Sequence, residues 1–344
     1  MRRLLATAAT VTLAGSLILL VVQSAPGGVS ASGKAPSASV VTQARANFIK
    51  VKSAHAPAVG RGGWVSPGGM QHSASSGASG GVTSTQSVNW SGYADSETTS
   101  NTVSQVSGNW TIPAVQCLPA PYENQDAFLA NWVGLDGFNN QTVEQLGTAA
   151  QCFGGVKYFY VWYEMYPSAT VEEGTTACIN DNVDCPQPGD QISASVTVTS
   201  AGSGENNYQL TLTDHTTPDE SFSVTQQCAA TTCLDTSAEW IVERPAAQPP
   251  PPATVQILPM AYFGTTSFSS ADVTSGGVRS DIQGFQDGLV YDISMIDDTA
   301  SYYLACVGQL APPGTLLPLI EPSACPAVEP LAGGAFQDSW DSSF

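Results

Sequence analysis

Histidine and basic residues are scarce in this chain: 3 His and 10 Lys or Arg stand against 29 Asp and Glu in 344 residues. A Ser-His-Asp or Cys-His machine needs an imidazole, and beyond His55 and His72 near the N-terminus there is His215 alone. It sits in Thr213-Asp214-His215-Thr216-Thr217, which reads as a hairpin turn. No CxxC occurs and His215 has no Cys at ligand spacing, so no zinc site, metal or cofactor is expected. The GxSxG match, Gly77-Ala78-Ser79-Gly80-Gly81, lies in low-complexity sequence without the strand-to-helix context of a nucleophile elbow. Paired Asp-Thr/Ser-Gly loops are missing too, the nearest approach being Asp235-Thr236-Ser237. What remains for acid-base work is carboxylates and carboxamides.

Acidic residues are themselves absent before Asp95, whereas seven basic residues (Arg2, Arg3, Lys34, Arg45, Lys50, Lys52, Arg61) precede residue 62. The rest of the chain opposes Lys157, Arg244 and Arg279 to all 29 carboxylates. So acidic a body repels nucleic acid and anionic lipid, and protonating it at low pH relieves its self-repulsion. Residues 1–31 read as a signal peptide: Met1-Arg2-Arg3, an apolar run over 4–22, and Val29-Ser30-Ala31 as the small residues before a cut. An uncleaved membrane anchor is the alternative, since the run is nearly long enough to span. No second apolar run of that length follows, so the cleaved protein is expected to be secreted, off the membrane and monomeric. Residues 32–84 form a basic, Ala/Ser/Gly-rich stretch, expected either to dock on the acidic domain as its own propeptide or to act as a spacer. All eight Cys fall beyond it, an even count that reads as disulfides in an exported chain. Sequence proximity suggests 178 with 185, 228 with 233 and 306 with 325, leaving 117 for 152.

From residue 88 on, short runs of β-branched and aromatic residues alternate with Gly, Pro, Asn, Asp and Ser. Good strand candidates are 103–112, 127–133, 157–166, 191–199, 208–214, 221–225, 238–243 and 289–295. Helix-length amphipathic periodicity is essentially missing. Residues 85–344 are therefore expected to form one all-β domain, an antiparallel, jelly-roll-like sandwich of two packed sheets, with Pro249 to Pro252 as a stiff connection. Residues 335–340 are a candidate last strand. Period-two alternation puts Tyr160, Trp162, Glu164 and Tyr166 on one face, Glu239, Ile241 and Glu243 on another, and Val143 with Gln145. These polar residues face either solvent or a working cleft.

Six segments in order carry a resemblance: Asn89-Trp90-Ser91-Gly92-Tyr93; Trp132-Val133-Gly134-Leu135-Asp136-Gly137; Glu144-Gln145-Leu146-Gly147-Thr148; Trp162-Tyr163-Glu164-Met165-Tyr166-Pro167; Pro188-Gly189-Asp190; and Ala238-Glu239-Trp240-Ile241-Val242-Glu243-Arg244-Pro245. Together they resemble the ordered motifs of the glutamic peptidases, the eqolisins. The resemblance implies two antiparallel seven-stranded sheets and acid endopeptidase action on polypeptides. It puts the catalytic carboxylate on Glu243 rather than Glu239, and the catalytic carboxamide on Gln145. It makes Trp132, Asp136 and Glu164 residues that line or support the cleft, with Trp90 and Trp162 in the same motifs. Residues around Gln145, the cysteine set and the tail from about 311 depart from the better-known members, which bears on subsite preference. Two other classes fit the bare residues: a jelly-roll glycosidase using Glu164 and Glu243 as its carboxyl pair, and a noncatalytic lectin-like module using the aromatic wall.

Overall fold

The computed structural model describes residues 82–87, 89–118, 127–138, 140–153, 155–168, 170–179, 185–200, 206–230, 232–247, 256–282, 289–295, 327–331 and 335–339. The proposed signal peptide, nearly all of the basic stretch, the Pro249 to Pro252 connection and Cys306 and Cys325 lie outside them. Among the described residues eighteen strands run in chain order: β1 (Val82–Ser87), β2 (Trp90–Ser96), β3 (Val103–Thr111), β4 (Ala127–Leu135), β5 (Val143–Phe153), β6 (Val156–Tyr166), β7 (Val171–Ile179), β8 (Gln191–Ser200), β9 (Asn207–Asp214), β10 (Phe222–Gln227), β11 (Ser237–Glu243), β12 (Ala246–Ala247), β13 (Gln256–Ile257), β14 (Thr265–Ser275), β15 (Val278–Asp281), β16 (Leu289–Met295), β17 (Ala327–Leu331) and β18 (Ala335–Ser339). Among the described residues no helix is long and apolar enough to cross a membrane.

The first sheet is ordered β1-β16-β2-β11-β4-β5-β6-β7, the second β10-β9-β8-β3-β14-β18-β17 with β15 on β14. Each has eight strands rather than the seven the resemblance implied. Pairing between neighbouring strands is antiparallel except at β1 and β16, which run parallel, Val82 opposite Val290. The strand at 335–339 pairs with β14 on one side and β17 on the other.

Alternation explains the second sheet directly. In β9 Tyr208, Leu210 and Leu212 are buried while Gln209 and Thr211 lie outward, the pattern of a sheet with one wet face. Strands β2, β4 and β11 of the first sheet are buried along their whole length. The inward side chains of the first sheet join the core between the sheets, among them Tyr93, Val133, Leu146, Val161 and Trp240 against Val106, Trp110, Val196, Leu210 and Phe268. Each such side chain contributes roughly 1.5–3 kcal/mol by leaving water. Two indoles also tie sheet to sheet: Trp240 Nε1 donates to the Ser107 carbonyl at 2.7 Å, and Trp110 Nε1 to Thr148 Oγ1 at 2.9 Å.

Disulfides join Cys117 to Cys152 and Cys228 to Cys233, and Cys185 is disulfide-bonded as well. The first closes a separation of 35 residues. On the chain-entropy account it removes about 4 kcal/mol of unfolded-state freedom, the five-residue Cys228–Cys233 closure about 2.

Candidate active site

The outward face of the first sheet is not wet either. A second apolar cluster covers it, with Trp90, Trp132, Trp162, Phe138, Ile241 and Ile293 among its members. Three rows of facing residues cross it. One runs Glu239, Gly134, Gln145, Glu164; the next Ile241, Trp132, Gly147, Trp162; the third Trp90, Glu243, Ala130, Ala149, Tyr160. Gly134, Gly147, Ala130 and Ala149 make a low floor, and larger side chains rise around it. The result is a cleft of about 30 Å³, room for one or two waters, lined by Gln145, Glu164, Glu243, Tyr160, Trp162, Thr170 and Pro245 over Ala130 and Ala149.

Gln145 and Glu243 thus sit on the same face of the same sheet and open into one cleft. Gln145 is 5% exposed, Glu164 3% and Glu243 5%, so the reading in which these polar groups merely face solvent is overturned. The reason is coverage by the surrounding aromatic rings and loops, which strand alternation does not report. Gln145 Nε2 donates to Glu164 Oε2 at 2.7 Å, and Thr170 Oγ1 donates to Glu164 Oε1 at 3.1 Å. A carboxamide nitrogen has two hydrogens, so the second remains for a ligand. Glu243 is held from its other side: Trp132 Nε1 donates to Oε2 at 2.8 Å and Asn89 Nδ2 to Oε1 at 3.2 Å. Trp90 meets Trp132 edge-on, ring centres 5.0 Å apart.

Burial pushes Glu243 up to about 8; donation from Trp132 opposes the rise and the nearby Glu164 charge adds to it. Glu164 is pushed up to about 7, again by burial first, with the bonds from Thr170 and Gln145 pulling the other way. Two carboxyls sharing a cleft at these values hold a proton over most of the acid range.

Asp136 plays a different part from the cleft residues. It lies outside the cleft lining, at φ 63°, where its Oδ2 accepts the backbone N–H groups of Leu234 and Asp235 and its Oδ1 that of Thr236. Asn140 and Thr142 donate to it as well. It therefore ties the end of β4 to the chain entering β11 and supports the site without facing it. Asp136, Glu144 and Asp235 bring carboxylate oxygens within 4.8 Å of one another. Both Asp235 oxygens accept short bonds, from Tyr208 and Asn206 at 2.6 Å each. Glu144 Oε1 lies 3.0 Å from the disulfide sulfur of Cys233, and burial, with the charges of Asp136 and Asp235, holds the Glu144 carboxyl well above the ordinary range.

Three contributors escaped the sequence reading. Asn89 was visible only as part of a motif, Thr170 had no signal, and the Ala130 and Ala149 floor looked like ordinary strand filler. Gly147, in the sequence only one residue of a motif, stands between two tryptophans in the register. A Cβ there would overlap the Asn131 carbonyl oxygen and stand 2.7 Å from Trp132 Cβ. Gly147→Ala is expected to cost roughly 1–3 kcal/mol, seen as a lower melting temperature. Activity should fall further than the unfolded fraction explains, because Trp132 must shift and it holds Glu243.

A double-sheet sandwich whose covered outer face opens into a cleft of carboxyl, carboxamide and indole groups defines a narrow class. The chain belongs to the Peptidase A4 family, whose model matches residues 88–306. Aspergillopepsin-2 of Aspergillus niger is 26% identical over 204 residues, which cover 55% of this chain and 65% of that protein; the chain thus matches under two thirds of that relative's length. Two solved structures of scytalido-glutamic peptidase, one with a transition-state analogue inhibitor and one with a peptide-based analogue, superpose with a TM-score of 0.51. Both are 20% identical, and each match covers 74% of this chain and 98% of theirs. The likeness establishes a shared fold and agrees with the resemblance carried by the six motifs.

Proposed function

We propose that the protein is a secreted acid endopeptidase in which Glu243 and Gln145 act together on one water. Family membership and the common cleft support this reading, the cleft carrying most of the weight. In the fraction of molecules in which Glu243 is ionised, it takes a proton from the water as the water oxygen attacks the scissile carbonyl. The Gln145 amide donates to the oxygen on which charge develops, and Glu243 then passes the proton to the leaving amine. Trp132, Trp162 and Trp90 keep bulk water from the pair, while Glu164 orients the Gln145 amide. Polypeptides are the substrate class, and the protein works as a monomer. Residues 1–31 direct export and 32–84 dock on the acidic domain until acid neutralises it. N-terminal sequencing of secreted protein that still reads from residue 32 at low pH would count against release of that segment.

The raised Glu243 carboxyl favours a second reading of the first step. If activity peaks well below about 8, Glu243 enters protonated, gives its proton to the carbonyl oxygen and recovers one from the attacking water. A base-first route shows activity rising as pH climbs through the Glu243 ionisation; the acid-first route shows it falling there.

Digestion of denatured protein and of polysaccharides from acidic to neutral pH, with a pepstatin control, tests the class. Pepstatin-insensitive peptide release is expected; reducing sugars would instead make it a glycosidase, and silence a binding module. Gln145→Ala should lower kcat by about 10²–10³-fold, the usual loss of one oxyanion donor, with KM little changed.

A further inference from the structure

Glu243 does not orient itself. The Glu243 carboxylate is gripped by two N–H donors that do not line the cleft and come from two flanking strands or their ends, Trp132 on β4 and Asn89 just ahead of β2. Asn89 is wholly buried and is aimed in turn by Ser87, the last residue of β1. Ser87 Oγ donates to Asn89 Oδ1 at 3.2 Å and accepts from the Asn89 and Trp90 backbone N–H groups at 3.3 and 3.1 Å. With its oxygen taken by the serine hydroxyl, the amide must present Nδ2 to Glu243. A flipped amide would set its oxygen against a carboxylate.

We infer that Asn89 is a positioning residue for the peptidase reaction, with Ser87 setting the sense of its amide, so that the junction of β1 and β2 reaches the reacting carboxyl. The inference rests on the reading of Glu243 given above. The bond from Asn89 fixes the carboxylate rotamer and leaves its remaining lone pairs for the cleft. As a donor it also favours the ionised form. The titratable groups around Glu243 are few: Glu164 and Tyr160 of β6 share its cleft, and the buried Arg244 follows it in the chain. At this end of β11 the flanking strands present Trp90 and Ala130, neither of which titrates. A change at Asn89 should therefore be read through Glu243 with little interference.

The test is the pH profile of kcat for Asn89→Ala, Asn89→Asp and Ser87→Ala, with melting temperatures, beside Glu243→Gln. Asn89→Ala should lower kcat by roughly 10- to 100-fold, as loss of partners that orient a functional ligand does, and move the limb governed by Glu243 to higher pH. Asn89→Asp keeps the shape and, while protonated, keeps a donor. It should approach wild-type activity at the acid end and lose it as residue 89 ionises beside Glu243. Should Asn89→Ala fail to fold, that pH-dependent rescue is still readable. Ser87→Ala should show the same shift, smaller. Wild-type kcat and profile in the Asn89 variants, with Glu243→Gln inactive, would overturn the positioning role alone. A loss that tracks melting temperature with no movement of the limb would reduce Asn89 to a structural residue. An active Glu243→Gln would overturn both this inference and the role of Glu243.

Discussion

Glu243→Gln is expected to remove peptide hydrolysis, by about 10²–10⁴-fold in kcat if it acts only through proton transfer, while leaving the domain folded. The substitution keeps the shape of the side chain, and its remaining carbonyl oxygen can still accept from Trp132 or Asn89, 2.8 and 3.2 Å away in the native protein. Glu239→Gln should do far less. Glu239 faces the same side of β11 but does not line the cleft. Burial, aided by the charges of Asp136 and Asp95, holds its carboxyl well above the usual range. It is therefore protonated where the enzyme is expected to work, and a carboxamide resembles a protonated carboxyl closely. Steady-state kinetics with thermal melts on both variants decides the matter; equal activity in the two would mean the wrong carboxylate has been chosen.

Stability should fall as pH rises, by an amount comparable to that of the whole domain. Among the described residues eight buried carboxyls have raised values in the fold: Asp95, Glu144, Glu239 and Asp338 well above the ordinary range, Asp214 above it, and Asp235, Glu164 and Glu243 at about 6, 7 and 8. Burial is the first cause in each. In the unfolded chain such groups ionise near pH 4. A group raised on folding contributes stability that is fully present below its unfolded value and is lost as pH climbs through its folded one. For Asp235, Glu164 and Glu243 the window therefore runs from about pH 4 to about pH 8. Each unit of difference is worth roughly 1.4 kcal/mol, against a typical total of about 5–15. Acid itself does little harm. With Lys157, Arg244 and Arg279 as the Lys and Arg residues beyond the leader, a protonated domain carries too few cations to repel itself apart. Denaturant midpoints measured from pH 3 to pH 9 should be highest at the acid end and decline through neutrality. A midpoint that rises toward pH 7 would show that these carboxyls are ionised and satisfied in the fold.

Much of the fold was legible because strand chemistry is local. The 289–295 strand was placed without error, and 103–112, 157–166 and 191–199 to within a residue at either end, since alternating β-branched residues and Gly, Pro or Asn breaks mark both limits. The parallel β1–β16 pair was not legible. Val-Thr-Ser-Thr-Gln-Ser reads as the end of a polar linker, and its strand character comes from a partner some two hundred positions away. The site was legible by motif, not by alternation: period two brought Glu239 and Glu243 together, but their burial depends on rings from β2, β4 and β6 that no single segment reveals. Asn89 was hidden for the same reason, because its partner is 154 positions along the chain.

The most direct measurement is a double-mutant cycle on kcat with Gln145→Ala and Glu243→Gln. Two groups that act on one water lose their effect together, so the double variant should be about as impaired as Glu243→Gln alone. Losses that multiply would mean the carboxamide and the carboxyl work independently, and the shared-water mechanism would be wrong.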